Sequence, residues 1–301
     1  MDNLTIGFLG LAAGLVLLLL RIQIGVALGL VSFIGIGVLL NARAAWGMLT
    51  AVPFNFVGDW NLTAIPMFLL MGFVASETGI SAGLFRAMRI LLAWLPGGLA
   101  VASVGACAML SAASGSSVAT SSAFARIATP EMLRYRYDPG LATGVIAAAG
   151  TLGSLIPPSI LMVLYGYLAE VSIAKLFMAG FLPGLLSAAM FVAMIVTRCS
   201  LNPALAPRVS ETFSRRDLVD AAREIWALPA IIVGVLAGIF IGLFSPTEAG
   251  AVGAALAICL GAMRRSLTWR SLYRSGFATL TSTAGIFMVV IGTTLLGKFM
   301  T

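Results

Sequence analysis

Apolar blocks recur along almost the whole chain, at about 4–20, 24–40, 61–76, 97–113, 141–169, 176–197, 225–244, 246–263 and 276–297. Several fall short of the roughly 20 residues that a helix needs to cross a bilayer core. They are far too numerous to hide inside a soluble domain, so the pattern predicts an all-α polytopic membrane protein. Two intervening stretches mix apolar and polar positions: 44–57, with Trp46, Met48, Val52 and Phe56, and 84–95, with Arg86 and Arg89. Both read as amphipathic helices lying at the membrane interface.

Two blocks are interrupted by residues that suit neither lipid nor an unbroken helix. From Leu110 to Phe124 the chain places Ser111, Ser114, Ser116, Ser117, Thr120, Ser121 and Ser122 around Gly115. Broken backbone at membrane depth survives only where protein buries it or a water-filled cavity meets it. Residues 97–135 are therefore expected to form a re-entrant hairpin with its tip at Ser114-Gly115-Ser116-Ser117. A second interruption, with Gly150, Thr151, Gly153, Ser154 and Pro157-Pro158, makes 141–169 a broken helix. Small residues also serve as close-packing seams between helices, but packing alone does not call for so many hydroxyls in succession. Two broken elements in one membrane domain point to a secondary transporter.

Composition agrees: 60% of residues are hydrophobic and 10% charged, with a mean hydropathy of +1.06. The net charge of +7 would invite nucleic acid as a partner. However, the basic residues sit in short connections between blocks, which is the positive-inside pattern, and no nucleic acid is expected. Arg264, Arg265, Arg270 and Arg274 place 264–274 on the cytoplasmic side. Arg198, Arg208, Arg215, Arg216 and Arg223 do the same for 198–224, diluted by Glu211, Asp217, Asp220 and Glu224. Arg21, set against Asp2, puts the first loop inside and the N-terminus on the periplasmic face. Met1-Asp2-Asn3 lacks a basic n-region, so the first block reads as a span and not as a signal peptide.

The chain has no histidine, which excludes an HExxH zinc protease and a Ser-His hydrolase, and it has no Walker-type phosphate loop. It is not expected to be an enzyme. Cys107, Cys199 and Cys259 are isolated and behave as small hydrophobes. Ser245-Pro246-Thr247-Glu248 reads as a capping box that starts a helix. Glu77 and Lys298 are expected at the interface, and Arg126, Arg134 and Arg136 as topology charges, with attraction of an anionic substrate as their alternative role.

The first pair of spans and the pair 225–244/246–263 start from opposite faces, which is the sign of an inverted repeat. A Leu-Thr step recurs at Leu62-Thr63 and Leu280-Thr281. The expected organisation is a first repeat over 1–197, a cytoplasmic linker over 198–224 and the start of a second, incomplete repeat over 225–301.

Three motifs, Ser111-Ala112-Ala113-Ser114-Gly115-Ser116-Ser117-Val118-Ala119-Thr120, Gly150-Thr151-Leu152-Gly153-Ser154-Leu155-Ile156-Pro157-Pro158-Ser159 and Ser245-Pro246-Thr247-Glu248-Ala249-Gly250-Ala251, stand in an order and spacing that is similar to one family. The chain resembles, over essentially all of its length, the large membrane subunit (DctM type) of tripartite ATP-independent periplasmic (TRAP) transporters. The resemblance implies an inverted-repeat, elevator-type secondary transporter of the bacterial inner membrane. It further implies a sodium-coupled importer of organic acids such as C4-dicarboxylates or sialic acid, working with a small four-helix membrane subunit (DctQ type) and a periplasmic substrate-binding protein (DctP type). No cofactor is implied beyond Na⁺ as coupling ion.

Na⁺ is a hard cation that takes oxygen ligands, and helix breaks free backbone carbonyls to supply them. The candidate Na⁺ ligands are Ser114, Ser116 and Ser117 facing Gly153, Ile156 and Pro158. The candidate substrate contacts are Ser116, Ser117, Thr120 and Pro157, where half-helix N-termini offer N–H groups to an anion. The alternative reading is a C-terminally truncated fragment that does not transport and acts only as an assembly partner. A third is an uncoupled channel.

Overall fold

The computed structural model describes residues 3–207, 219, 221 and 225–301; these are helical throughout, with no strand among them. Most of the 198–224 connection, including Arg208, Arg215, Arg216 and Arg223, lies outside the described residues. The helices are α1 Asn3–Leu19, α2 Ile24–Leu39, α3 Ala42–Val57, α4 Ala64–Glu77, α5 Ile80–Leu92, α6 Gly98–Ser114 and α7 Ser117–Arg134. They continue as α8 Pro139–Gly150, α9 Leu152–Leu155, α10 Ile160–Leu168, α11 Ile173–Leu201, α12 Ala227–Phe240, α13 Pro246–Met263 and α14 Trp269–Met300.

Trp60–Glu77, α11, α13 and α14 are each long and apolar enough to cross a membrane, and α8–α9 with α10 form a further span bent by 41°. On α11 the exposed Leu182, Leu186 and Met190 recur every four residues and give it one apolar outer face. The protein is an all-α polytopic membrane protein. At about 1.5 Å per residue α14 runs for about 48 Å, more than a hydrocarbon core is thick.

The chain folds as two compact units, one made of 3–62 with 280–301 and the other of 63–279. In the first unit, Asn41 caps α3 by accepting the Ala44 N–H at 2.8 Å, which stabilises the helix by about 1 kcal/mol. Its small core holds Val31, Ile36, Ala45 and Phe299, with edge-on ring pairs Phe33–Trp46 and Phe56–Phe287. Gly25 and Gly292 allow α2 and α14 to meet through backbone, since a Cβ on Gly292 would lie 2.5 Å from the Gly25 carbonyl oxygen.

The second unit carries the larger core. Phe68 meets Phe177, and Phe85 meets Phe124, at centroid distances of 6.2 and 6.4 Å. In lipid, helices gain little from hiding apolar surface from one another, so close contact between small residues does most of the joining. The α4–α13 seam follows that rule. A Cβ on Gly250 would sit 3.0 Å from the Met67 Cβ, and one on Gly261 would sit 2.8 Å from the Thr78 Cγ2.

Candidate functional site

Within the second unit, α6 and α7 form a helical hairpin. Its tip is set by Gly115, which takes a left-handed conformation (φ 59°) and donates its N–H to the Ser111 carbonyl at 2.8 Å. Ser116 is extended and caps α7: its Oγ accepts the Ala119 N–H at 3.3 Å and its carbonyl accepts the Thr120 N–H at 3.1 Å. Behind the tip, the buried Ser114 and Thr120 hydroxyls share a 3.0 Å hydrogen bond, and the Ser111 hydroxyl donates to Thr120 at 3.5 Å. These hydroxyls therefore satisfy each other across the hairpin, as buried polar groups must.

Asp138 opens α8 by accepting the Leu141 N–H at 2.9 Å. The second break follows α9, where Ile156 is extended and Pro157 and Pro158 are joined by a cis peptide bond. Proline has no N–H and pushes the residue before it out of helical geometry. Ser159 spans the gap, its Oγ donating to the Ser154 carbonyl at 2.9 Å, and α10 starts after it.

The two breaks meet. The Ile160 N–H at the start of α10 donates to the Gly115 carbonyl at 3.1 Å. A Cβ on Gly115 would lie 2.6 Å from the Pro158 oxygen, and one on Gly153 would lie 2.7 Å from both the Ser116 carbonyl carbon and the Ser117 nitrogen. Glycine at these two positions is what lets backbone touch backbone. The C-terminal ends of α6 and α9 and the N-terminal ends of α7 and α10 all belong to this pair of breaks, so carbonyls and N–H groups left over from helix ends are gathered in one place.

Of the residues singled out from the sequence, Ser114, Ser116, Ser117, Gly153 and Pro158 are brought together. Ser114, Gly153 and Pro158 are buried, and Ser116 and Ser117 are half-buried. Pro157 is buried beside Pro158. Ile156 belongs to the same break, where its carbonyl is the expected ligand, and its side chain lies against Gly184 of α11. Thr120 faces the interior of the hairpin through its bond to Ser114. Among the described residues no group of three or more Cys, Asp or Glu side chains is placed to hold a metal ion. Oxygen ligands at the breaks would come from carbonyls and hydroxyls.

A cavity of about 270 Å³ opens beside the tip, at the small end of ligand pockets (about 300–1,000 Å³). Gly72, Phe73, Ser76 and Glu77 line it from α4, and Ser81 and Ala82 from α5. Leu110 and Ser114 come from α6, and Ala119, Ser122, Ala123, Arg126 and Ile127 from α7. The sequence alone does not show this cavity, and it leaves Arg126 as a topology charge or an attractor of an anionic substrate. The available signal was the spacing of Ala119, Ser122, Ala123 and Arg126, which puts them on one face of α7. Arg134, at the other end of α7, is placed differently, as is Arg89 of α5. Glu131 accepts from Arg89 at 2.6 Å and lies 3.9 Å from Arg134, while Arg89 also donates to the Tyr135 hydroxyl at 3.1 Å.

The third motif behaves as a helix start. Ser245 accepts the Glu248 N–H at 3.3 Å, and Glu248 accepts the Ser245 N–H at 2.7 Å, completing the capping box of α13.

The family model described as "Tripartite ATP-independent periplasmic transporter, DctM component" matches residues 11–301. The chain belongs to this DctM family. The C4-dicarboxylate TRAP transporter large permease protein DctM of Vibrio cholerae is 38% identical over 241 residues, which are 79% of this chain and 52% of that protein. The sialic acid TRAP transporter permease protein SiaT of Haemophilus influenzae is 32% identical over 285 residues, 91% of this chain and 44% of SiaT. The ectoine/5-hydroxyectoine TRAP transporter large permease protein UehC of Ruegeria pomeroyi is 34% identical over 283 residues, 92% of this chain and 64% of UehC. This DctM chain thus spans about half to two thirds of the length of these relatives. They are transport permeases and not enzymes.

Proposed function

We propose that this chain serves as the large membrane subunit of a binding-protein-dependent importer of organic acids, driven by sodium, in the bacterial inner membrane. It receives its substrate from a soluble periplasmic protein and assembles with a small four-helix membrane subunit. The arginine pattern puts the N-terminus on the periplasmic face and the 264–274 turn in the cytoplasm. The observation that carries the reading is the meeting of two helix breaks in one unit, Gly115 against Pro158 and Gly153 against Ser116-Ser117. The relatives named for C4-dicarboxylates, sialic acid and ectoine point to a small organic acid as cargo.

The donor set at the breaks suits Na⁺. The last turns of α6 and α9 end in carbonyls that run out of helical N–H partners, and Ser114, Ser116 and Ser117 add hydroxyl and carbonyl oxygens to those of Gly153, Ile156 and Pro158. The N-terminal ends of α7 and α10 carry the opposite partial charge and favour an anion near Ser116, Ser117, Thr120 and Pro157. Ion binding adds to the contacts that already hold the two breaks together, and the hairpin then changes its exposure as a closed unit.

The test is uptake of radiolabelled organic acids by proteoliposomes that hold this chain with its small subunit and binding protein. Uptake is expected to require an inward sodium gradient. Ser114→Ala and Ser117→Ala are each expected to raise the sodium concentration for half-maximal uptake about tenfold, which is ~1.4 kcal/mol of ion binding. Uptake that ignores both sodium and the binding protein would instead identify a channel. Retained small-subunit binding without any uptake would identify an assembly partner.

A further inference from the structure

Two opposite charges edge the cavity beside the hairpin tip, and neither has an ion-pair partner among the described residues: Arg126 of α7 and Glu77 at the end of α4. The Arg126 Nε donates to the Ser122 carbonyl at 3.3 Å, which folds the side chain back along α7 by one turn toward the tip. Gly72 lies against Ser114 at the tip, and Glu77 stands about 7.5 Å farther along α4. The cation and the carboxylate thus line the same cavity as Ser114, and the hydroxyls of Ser76, Ser81 and Ser122 line it with them.

We propose that this cavity binds a small zwitterion, with the carboxylate of the ligand on the Arg126 guanidinium and a neighbouring cationic nitrogen on Glu77. This rests on the organic-acid reading given above and narrows its cargo, while seating the carboxylate at Arg126 and not at the break residues Ser116, Ser117, Thr120 and Pro157. A planar guanidinium with free Nη groups matches a carboxylate in a two-point hydrogen bond. Glu77 then decides between ligands of equal size. A second carboxylate placed beside it is repelled, a neutral group leaves it without a partner, and an ammonium group pairs with it. The serine hydroxyls accept or donate and so take the remaining polar atoms of the ligand without imposing a charge. The cavity volume favours compact ligands of amino-acid size over long-chain acids.

The experiment is calorimetric binding to the 301-residue chain in lipid nanodiscs, with L-proline, its ring-oxygen isostere tetrahydro-2-furoate, and succinate as probes. The expected result is proline binding at least about tenfold tighter than either anion. Glu77→Gln is expected to erase that preference by weakening proline and strengthening tetrahydro-2-furoate. Arg126→Gln is expected to lose all three ligands, with Arg126→Lys restoring part of the binding. Equal affinity for proline and tetrahydro-2-furoate in the unaltered chain, or a preference that Glu77→Gln leaves in place, overturns the zwitterion proposal while leaving an organic-anion site standing. Failure of all three probes to bind the unaltered chain overturns the anion-site reading and this proposal together.

Discussion

At the hairpin tip the chain reverses direction through Gly115 and Ser116, whereas between α9 and α10 it carries on with a 41° bend through Pro157-Pro158. The first break is made by a residue that can adopt a left-handed conformation, and it is sealed at once by a serine cap. The second is made by residues that cannot donate a hydrogen bond, and it is bridged by a serine hydroxyl that reaches back five residues to Ser154. A reversal needs freedom of φ at one position, and a bend needs only the loss of donors. The two devices then depend on each other, because the Gly115 carbonyl takes the Ile160 N–H that the second break frees.

Gly115→Val is expected to disturb this arrangement most. It puts a branched side chain at φ 59° and a Cβ 2.6 Å from the Pro158 oxygen. The left-handed backbone costs about 1–2 kcal/mol and the overpacking about 1–3 more, so unfolding in detergent should show a loss of about 2–5 kcal/mol. Gly79→Ala sharpens the result, because Gly79 also has a left-handed φ of 76° but a Cβ there meets nothing within 4 Å. Only the backbone cost of about 1–2 kcal/mol should appear there. A loss at Gly79 equal to that at Gly115 would show that the contact between the breaks contributes nothing.

Next in size is Gly153→Ala, which leaves backbone angles alone and tests only the contact with Ser116 and Ser117. It should destabilise by about 1–3 kcal/mol and lower sodium-dependent uptake more than a substitution on the neighbouring α8. Smaller still are the two serines. Ser116→Ala removes a cap and should cost about 1 kcal/mol, and Ser159→Ala removes one hydrogen bond and should cost about 0.5–1.5 kcal/mol. Hydrogen exchange would separate them. Loss of protection is expected in the first turn of α7 for Ser116→Ala, and around Ser154 and Ile160 for Ser159→Ala.

Both breaks could be read from the sequence because their causes are local. Gly115 among hydroxyls and Pro157-Pro158 between apolar runs interrupt a helix whatever surrounds them. The Ser245-Glu248 capping box was legible for the same reason. What could not be read depends on residues far apart in the chain. Arg89 pairs with Glu131 across 42 positions, and the Arg126 cavity needs α4 and α5 beside α7 before it exists. Sequence spacing also does not distinguish a hydroxyl offered to a ligand from one spent inside the hairpin, as Thr120 is on Ser114. The inward turn of Thr120 and the α11-facing side chain of Ile156 come from packing against neighbours that spacing cannot name.

Gly72 brings α4 against Ser114 with no side chain between them, and Gly250 and Gly253 seat α13 on α4 almost as closely. Between the hairpin and α13 lies α4 alone, with Met67 and Met71 filling its side of the seam. Displacing the tip would therefore press on α4 first and on α13 through it. A hydrophobic molecule wedged into the α4–α13 seam would thus reach the hairpin from a face that neither break lines.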